Sequence, residues 1–280
     1  MNNVLYFAAN DGVHGQELWR SDGSAAGTFL VRDILVGNGN GVNFPGNNQG
    51  EFIVMNNILY FTATNGYLVP GDYGDELYRS DGTLNGTYMV KDLRTGDIGT
   101  YPCQFTVLND TILFFTASNV LNGTQNIGTE LFISDGTENG TSLFLDIRYG
   151  PAGSSPEFLT VMNNVLYFAA NDGIHGNELW KSDGTRENTF LLIDLSPGPS
   201  DSYPTYLTVV NNVLFFLAYT PTTGGELWRS DGSSSNTFLV QDINPGTGNN
   251  NAINLAGMNN AVYFQASNGT SGNEPWRCTI

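Results

Sequence analysis

Apolar residues arrive along this chain in runs of about six, bounded by Asn-Asn, Asn-Gly, Asp-Gly or Ser-Asp-Gly, and the runs return in a constant order. The fullest copy predicts four strands, A to D, over residues 157–162, 165–170, 177–182 and 189–195. Asn163-Asn164 makes a tight A to B hairpin, Asp172-Gly173 separates B from C, and Ser182-Asp183-Gly184-Thr185 turns C into D. Strand B reads Val-Leu-Tyr-Phe-Ala-Ala in two copies and is apolar on both faces, as suits a sheet packed between two others. No stretch carries a helical period.

The unit at residues 169–185, AANDGIHGNELWKSDGT, reappears at 8–24 as AANDGVHGQELWRSDGS, and weaker copies follow. Its strand C glutamates, Glu17, Glu76, Glu130, Glu178, Glu226 and Glu274, stand 59, 54, 48, 48 and 48 residues apart. Six copies of a four-stranded antiparallel unit predict an all-β fold, a six-bladed β-propeller forming one domain over residues 1–280. The first copy begins at strand B and the sixth stops after strand C, so the end blades are expected to be incomplete, with about 22 strands where a full ring has 24. Closure is preferred to a linear solenoid, whose end edges would need capping. Met1 sits where Met55, Met162 and Met258 sit, which suggests an internal residue of a longer precursor.

Aromatic pairs in strand B (Tyr6-Phe7, Tyr60-Phe61, Phe114-Phe115, Tyr167-Phe168, Phe215-Phe216, Tyr263-Phe264) are read as core between blades. So are Trp19, Tyr78, Phe132, Trp180, Trp228 and Trp276 of strand C. From the strand C Glu to the strand D Asp the spacing is sixteen in five copies, so the C to D hairpin is rigidly specified. Length varies elsewhere. The B to C loop grows by five residues in the second and third copies, and the first D to A link grows by six. In an up-and-down blade these loops emerge at one end of the strands, which places a partner-binding site there, using Phe44, Tyr67, Leu68, Val69, Tyr73, Val120 and Leu121.

The motif Glu178-Leu179-Trp180 with Asp183-Gly184-Thr185, preceded in the first copy by Asp11-Gly12 and His14-Gly15, resembles the ELWxxDGT repeat family over essentially the whole chain. Tyr78 and Phe132 replace Trp, Pro275 replaces Leu, and Asn188 and Asn236 replace the second Gly. The resemblance implies an extracellular, secreted repeat module and transfers no catalytic assignment.

A formal net charge of −17 with ten Lys and Arg argues against nucleic acid and anionic membranes as partners. No apolar run reaches the roughly 18 residues of a membrane span. Cys103 and Cys278 lie about half the array apart and are not expected to pair. Asn85, Asn109, Asn122, Asn139 and Asn268 head Asn-X-Thr sequons that a eukaryotic secretory pathway could glycosylate.

The acids that recur, Glu17 to Glu274 and Asp22, Asp81, Asp135, Asp183 and Asp231, are read as structural parts of the repeat. Each Asp of Ser-Asp-Gly accepts N–H bonds inside its own turn, and the next Gly takes a positive φ. His14 and His175 are three copies apart, too far to share a metal or proton relay. No phosphate loop, nucleophile elbow or paired metal motif appears. No cofactor is expected. Calcium is the one left open, through Asp11 or Asp172, loop carbonyls and Glu17 or Glu178, although the dense Asp/Asn alternation of a calcium loop is missing.

These readings converge on a non-catalytic extracellular scaffold or adhesion module that binds proteins in a surface or matrix assembly through its long loops. A glycan-binding lectin is the runner-up. An enzyme would place substrate at the channel mouth, using acids that break the repeat, such as Asp72, Asp75, Asp97 or Asp201.

Overall fold

The structure, a computed structural model, describes residues 1–42, 52–66, 74–96, 98–118, 120–122, 125–250 and 252–279. Their contacts divide the chain into two compact units, Met1–Gly153 and Ser154–Ile280. In the first unit, β1 (Leu5–Asn10), β2 (Gln16–Ser21) and β3 (Phe29–Arg32) make a three-stranded sheet. A four-stranded sheet follows from β4 (Ile53–Met55), β5 (Ile58–Thr64), β6 (Asp75–Ser80) and β7 (Tyr88–Lys91). The third sheet orders β8 (Cys103–Leu108), β9 (Ile112–Ala117), β12 (Glu130–Ser134) and β13 (Ser142–Leu145). The short pair β10 (Leu121–Asn122) and β11 (Gln125–Asn126) rises from its β9–β12 connection.

In the second unit, β14 (Glu157–Met162), β15 (Val165–Asn171), β16 (Asn177–Ser182) and β17 (Thr189–Ile193) form one sheet. The next contains β18 (Thr205–Val210), β19 (Val213–Thr220), β20 (Gly224–Ser230) and β21 (Thr237–Gln241). The last has three strands, β22 (Ile253–Met258), β23 (Ala261–Ser267) and β24 (Asn273–Thr279). All pairs within the sheets are antiparallel, so the fold is all-β; among the described residues the first and last sheets have three strands and the four between them have four, apart from the two-stranded β10–β11 pair. Among the described residues no helix is long and apolar enough to cross a membrane.

Local chemistry explains these elements. The hairpin pairs Asn56-Asn57, Asn163-Asn164 and Asn211-Asn212 hold φ between 49° and 64°, the left-handed values that a two-residue type I′ turn demands at both positions. The carboxylate of Asp183 accepts the Thr185 N–H at 2.9 Å, and Gly184 sits at φ 97°. Asp22, Asp81, Asp135 and Asp231 repeat that bond in their own turns. These hydrogen bonds, led in each case by the neighbouring Ser or Thr hydroxyl, hold the five aspartates below the usual carboxylate range.

Phe61, Phe114, Phe115, Phe168, Phe215 and Phe216 are fully buried, each contributing roughly 1.5–3 kcal/mol. Basic side chains tie neighbouring sheets within a unit: Arg20 and Arg79 donate to the carbonyls of Gly82 and Gly136, and Lys181 to that of Gly232 at 2.9 Å. The same cations lie 5.2–5.3 Å from the centroids of Phe29, Tyr88 and Phe190.

The strand C glutamates fasten the links. Glu17, Glu76, Glu130, Glu178 and Glu226 are all 0% exposed. Each accepts the N–H of the residue seventeen positions on: Ile34, Leu93, Ile147, Leu195 and Ile243. Four also hold the residue at plus twenty-four, through the N–H of Gly41, Thr100 and Ser202 and the amide of Asn250. At Gly41 a Cβ would stand 2.3 Å from an oxygen of the Glu17 carboxylate, so a larger residue there requires that side chain to shift. The link so held also donates to the strand C residue before the Glu and accepts from the end of the next strand B: Ser202 N–H binds Asn177 O at 3.0 Å, and Tyr219 N–H binds Ser202 O at 2.7 Å. Glu274, on β24, is exposed.

Burial lifts Glu17, Glu178 and Glu226 to about 7 and Glu76 to about 8, against the pull of their hydrogen-bond donors. A carboxyl with a raised folded value stabilises the fold below its unfolded value of 4.5 and loses that contribution as pH climbs to 7–8. The turn aspartates act oppositely, losing theirs as pH falls below the ordinary 3.8. Thermal unfolding is therefore expected to show greatest stability near pH 4–5 and a decline to pH 8. In E178Q the slope of unfolding free energy between pH 5 and 7 shrinks by about 1.4 kcal/mol per pH unit. E178A, which strands several buried donors, costs roughly 3–5 kcal/mol. An unchanged slope in E178Q would exclude Glu178 as a titrating group.

Candidate functional site

Of the residues expected to contact a partner, Phe44, Tyr67, Leu68, Val69 and Tyr73 lie outside the described residues, as do Asp72 and Asp97. Leu121 on β10 is 42% exposed. Val120 corrects the expectation of an exposed contact residue, being only 8% exposed and part of the core under the third sheet. The β10–β11 hairpin folds the loop back, Ile127 donates to the Val120 carbonyl at 3.2 Å, and the two side chains enter the core together. The insertion thus carries some of its own apolar residues inward.

The acids considered for calcium spend their oxygens separately. Asp11 accepts the N–H groups of Val13 and His14 and the His14 ring within its own loop, whereas Glu17 faces its link. Among the described residues no group of three or more His, Cys, Asp or Glu is arranged around a metal position. No disulfide joins Cys103 to Cys278. The Asp-Gly-X-His-Gly loops instead build two Asp–His pairs, Asp11–His14 and Asp172–His175, each with 2.7 Å between carboxylate and Nδ1. The i, i+3 spacing within the motif is the signal from which this pairing could have been foreseen.

The second unit holds a concave site. A cavity of about 650 Å³ opens over the link between its first two sheets, lined by Asp201, Tyr203, Thr205, Leu217, Ala218 and Tyr219, with Ser200 and Asn249 at its margin. Its floor is the end of β19, and the link that Glu178 fastens through Ser202 forms its wall. Asp201 stands in the link at the position of Asn40 and Asn249. All three side-chain oxygens accept one backbone N–H: Gln16 to Asn40 at 2.9 Å, Asn177 to Asp201 at 2.6 Å, and Gly225 to Asn249 at 2.7 Å. Asn171 adds a side-chain bond to Asp201 at 3.3 Å, and interaction with the same carboxylate raises the pKa of Tyr203. Tyr203 is 58% exposed and Tyr219 39%. Of the acids that break the repeat, Asp201 reaches a cavity, whereas Asp75 on β6 is buried.

No family model matches the chain, and neither does any curated protein sequence. Among solved structures, the chain is similar over 98% of its length to a prolyl endopeptidase, with a TM-score of 0.57 and 14% identity, covering 40% of that chain. It is similar over the same share to prolyl oligopeptidase B of Galerina marginata (TM-score 0.53, 10% identity, 38% of that chain). A third likeness is to the acylaminoacyl peptidase of Pyrococcus horikoshii (TM-score 0.51, 8% identity, 98% of this chain and 42% of that one). At these identities the likeness shows the fold, antiparallel sheets of the propeller kind. The chain spans about two-fifths of the length of these proteins. The scaffold and adhesion reading is corrected by this result, because the proteins whose fold the chain shares from end to end are peptidases.

The Asp–His pairs yield a titration that can be measured. The Asp172 side-chain bond raises His175 above the ordinary imidazole value of 6.5, and the Asp11 bond does the same for His14. Burial works to raise Asp172, but the bonds from the His175 backbone and ring outweigh it and draw the carboxylate down. Asp11 falls to about 2, chiefly through the His14 N–H and then its ring. NMR titration of both imidazoles is expected to give midpoints above 6.5, and D172N should return His175 alone toward that value. A His175 midpoint that D172N leaves unmoved would remove the ion pair as its cause.

Proposed function

We propose that this chain is a six-bladed propeller module of an exported, peptidase-related protein, and that it binds peptide rather than cutting it. The observation that carries the reading is the end-to-end match: 98% of this chain lies along about two-fifths of each of three peptidases, as a module of a larger hydrolase would. The prolyl endopeptidase was described with inter-domain dynamics bearing on catalysis and specificity, so a role beside a catalytic domain is in keeping with its likeness. Each histidine bonds only the aspartate of its own loop among the described residues, which supports recognition over cleavage. The resemblance of the repeat to the ELWxxDGT family supports export, and the six antiparallel sheets of three or four strands are in keeping with six blades.

Fluorescence polarisation with a library of labelled, proline-containing peptides, paired with a fluorogenic cleavage assay, tests the reading. Binding without product release is expected. Cleavage by the purified chain, or no binding by any peptide, would overturn it. A closed ring further requires a radius of gyration of about 19 Å by small-angle scattering; a clearly larger value would exclude closure.

A further inference from the structure

We propose that the cavity over Asp201 is a binding site for an alkylammonium group, taken with its aliphatic stem against Leu217. Asp201 carries a charge that the fold does not need. At this place in the link two other copies present a side-chain carbonyl oxygen to a backbone N–H, and Asn40 and Asn249 supply it without charge. Asp201 makes the same bond to Asn177 and adds a negative charge at the wall of a cavity of about 650 Å³. Among the described residues no Lys, Arg or His forms an ion pair with it, because the two such pairs are both Asp–His pairs elsewhere. A carboxylate at the edge of a concave, largely apolar space is what an entering cation requires.

The surroundings select the kind of cation. The Asn177 N–H and the Asn171 amide hold the carboxylate in one orientation before any ligand arrives, so little ordering remains on binding. Tyr203 and Tyr219 are both substantially exposed at the cavity, and their ring faces attract an ammonium group electrostatically. The apolar Leu217 side chain suits methylenes and gives a hydrated inorganic ion no replacement for its water. The volume lies within the usual range for small-molecule sites and accommodates one amino-acid residue. The chain's net charge of −17 adds long-range attraction for cations. This inference stands on the cavity and does not depend on the peptidase-related reading.

Isothermal titration of the full chain with three single-residue probes tests it. Nα-acetyl-lysine N-methylamide carries its ammonium on a side chain, norleucine N-methylamide carries it at the α-amino group, and Nα-acetyl-norleucine N-methylamide is neutral. At least one charged probe is expected to bind tenfold or more tightly than the neutral one, and which of the two does so identifies the source of the ammonium. Affinity should fall with added salt. D201N retains the acceptor that Asn40 and Asn249 provide, so its melting temperature should stay near that of the parent while the preference for the charged probe drops at least tenfold. Y219A should weaken binding of the charged probe several-fold. Equal affinity for charged and neutral probes, no binding by either charged probe, or a folded D201N that binds the charged probe as before would overturn the proposal.

Discussion

A buried carboxylate that captures a passing link is the interaction on which the rest of this structure depends. Five strand C glutamates sit wholly out of water, and each faces backbone N–H groups from the segment leaving its own sheet. Burying a charge-bearing group is expensive unless donors surround it, and buried N–H groups are equally expensive without an acceptor. Each problem answers the other. The same link then pairs with the end of the next sheet's second strand, so one side chain sets where a neighbouring sheet can begin.

This arrangement accounts for the invariance of the Glu-to-Asp spacing and for the tolerance of length elsewhere. Between the glutamate and the donor at plus seventeen lie the Ser-Asp-Gly turn and strand D, a stretch whose ends meet only at one length. The B to C loops lie outside that circuit and can lengthen without disturbing it. The third copy uses the freedom to add a small hairpin that buries Val120 and Ile127.

The cavity over Asp201 arises where the link is both fastened and chemically altered. Glu178 holds Ser202 in place, and the residues on either side, Asp201 and Tyr203, turn toward the open end of β19. A fixed frame with variable side chains on it explains how repeated parts can carry a single, unrepeated site. The likeness to peptidases concerns the frame. The chemistry at Asp201 belongs to the side chains carried on it.

Fold class, strand order and the three-stranded end sheets were legible in the sequence because alternating apolar runs and paired asparagines are local signals, repeated six times. The turn aspartates were legible for the same reason, since a Ser-Asp-Gly turn is satisfied within a few residues. The partners of the glutamates were hidden, because seventeen and twenty-four residues separate donor from acceptor and only folding brings them together. Asp201 was noticed as an acid out of step with the repeat, but its cavity, its tyrosines and the neutral asparagines in its place elsewhere belong to the tertiary structure. Val120 shows the converse: an apolar residue in an inserted loop reads as exposed until the chain folds back and supplies Ile127 to cover it. Periodicity reports how each segment pairs with its neighbours in sequence, whereas burial and binding depend on which distant segments arrive at the same place.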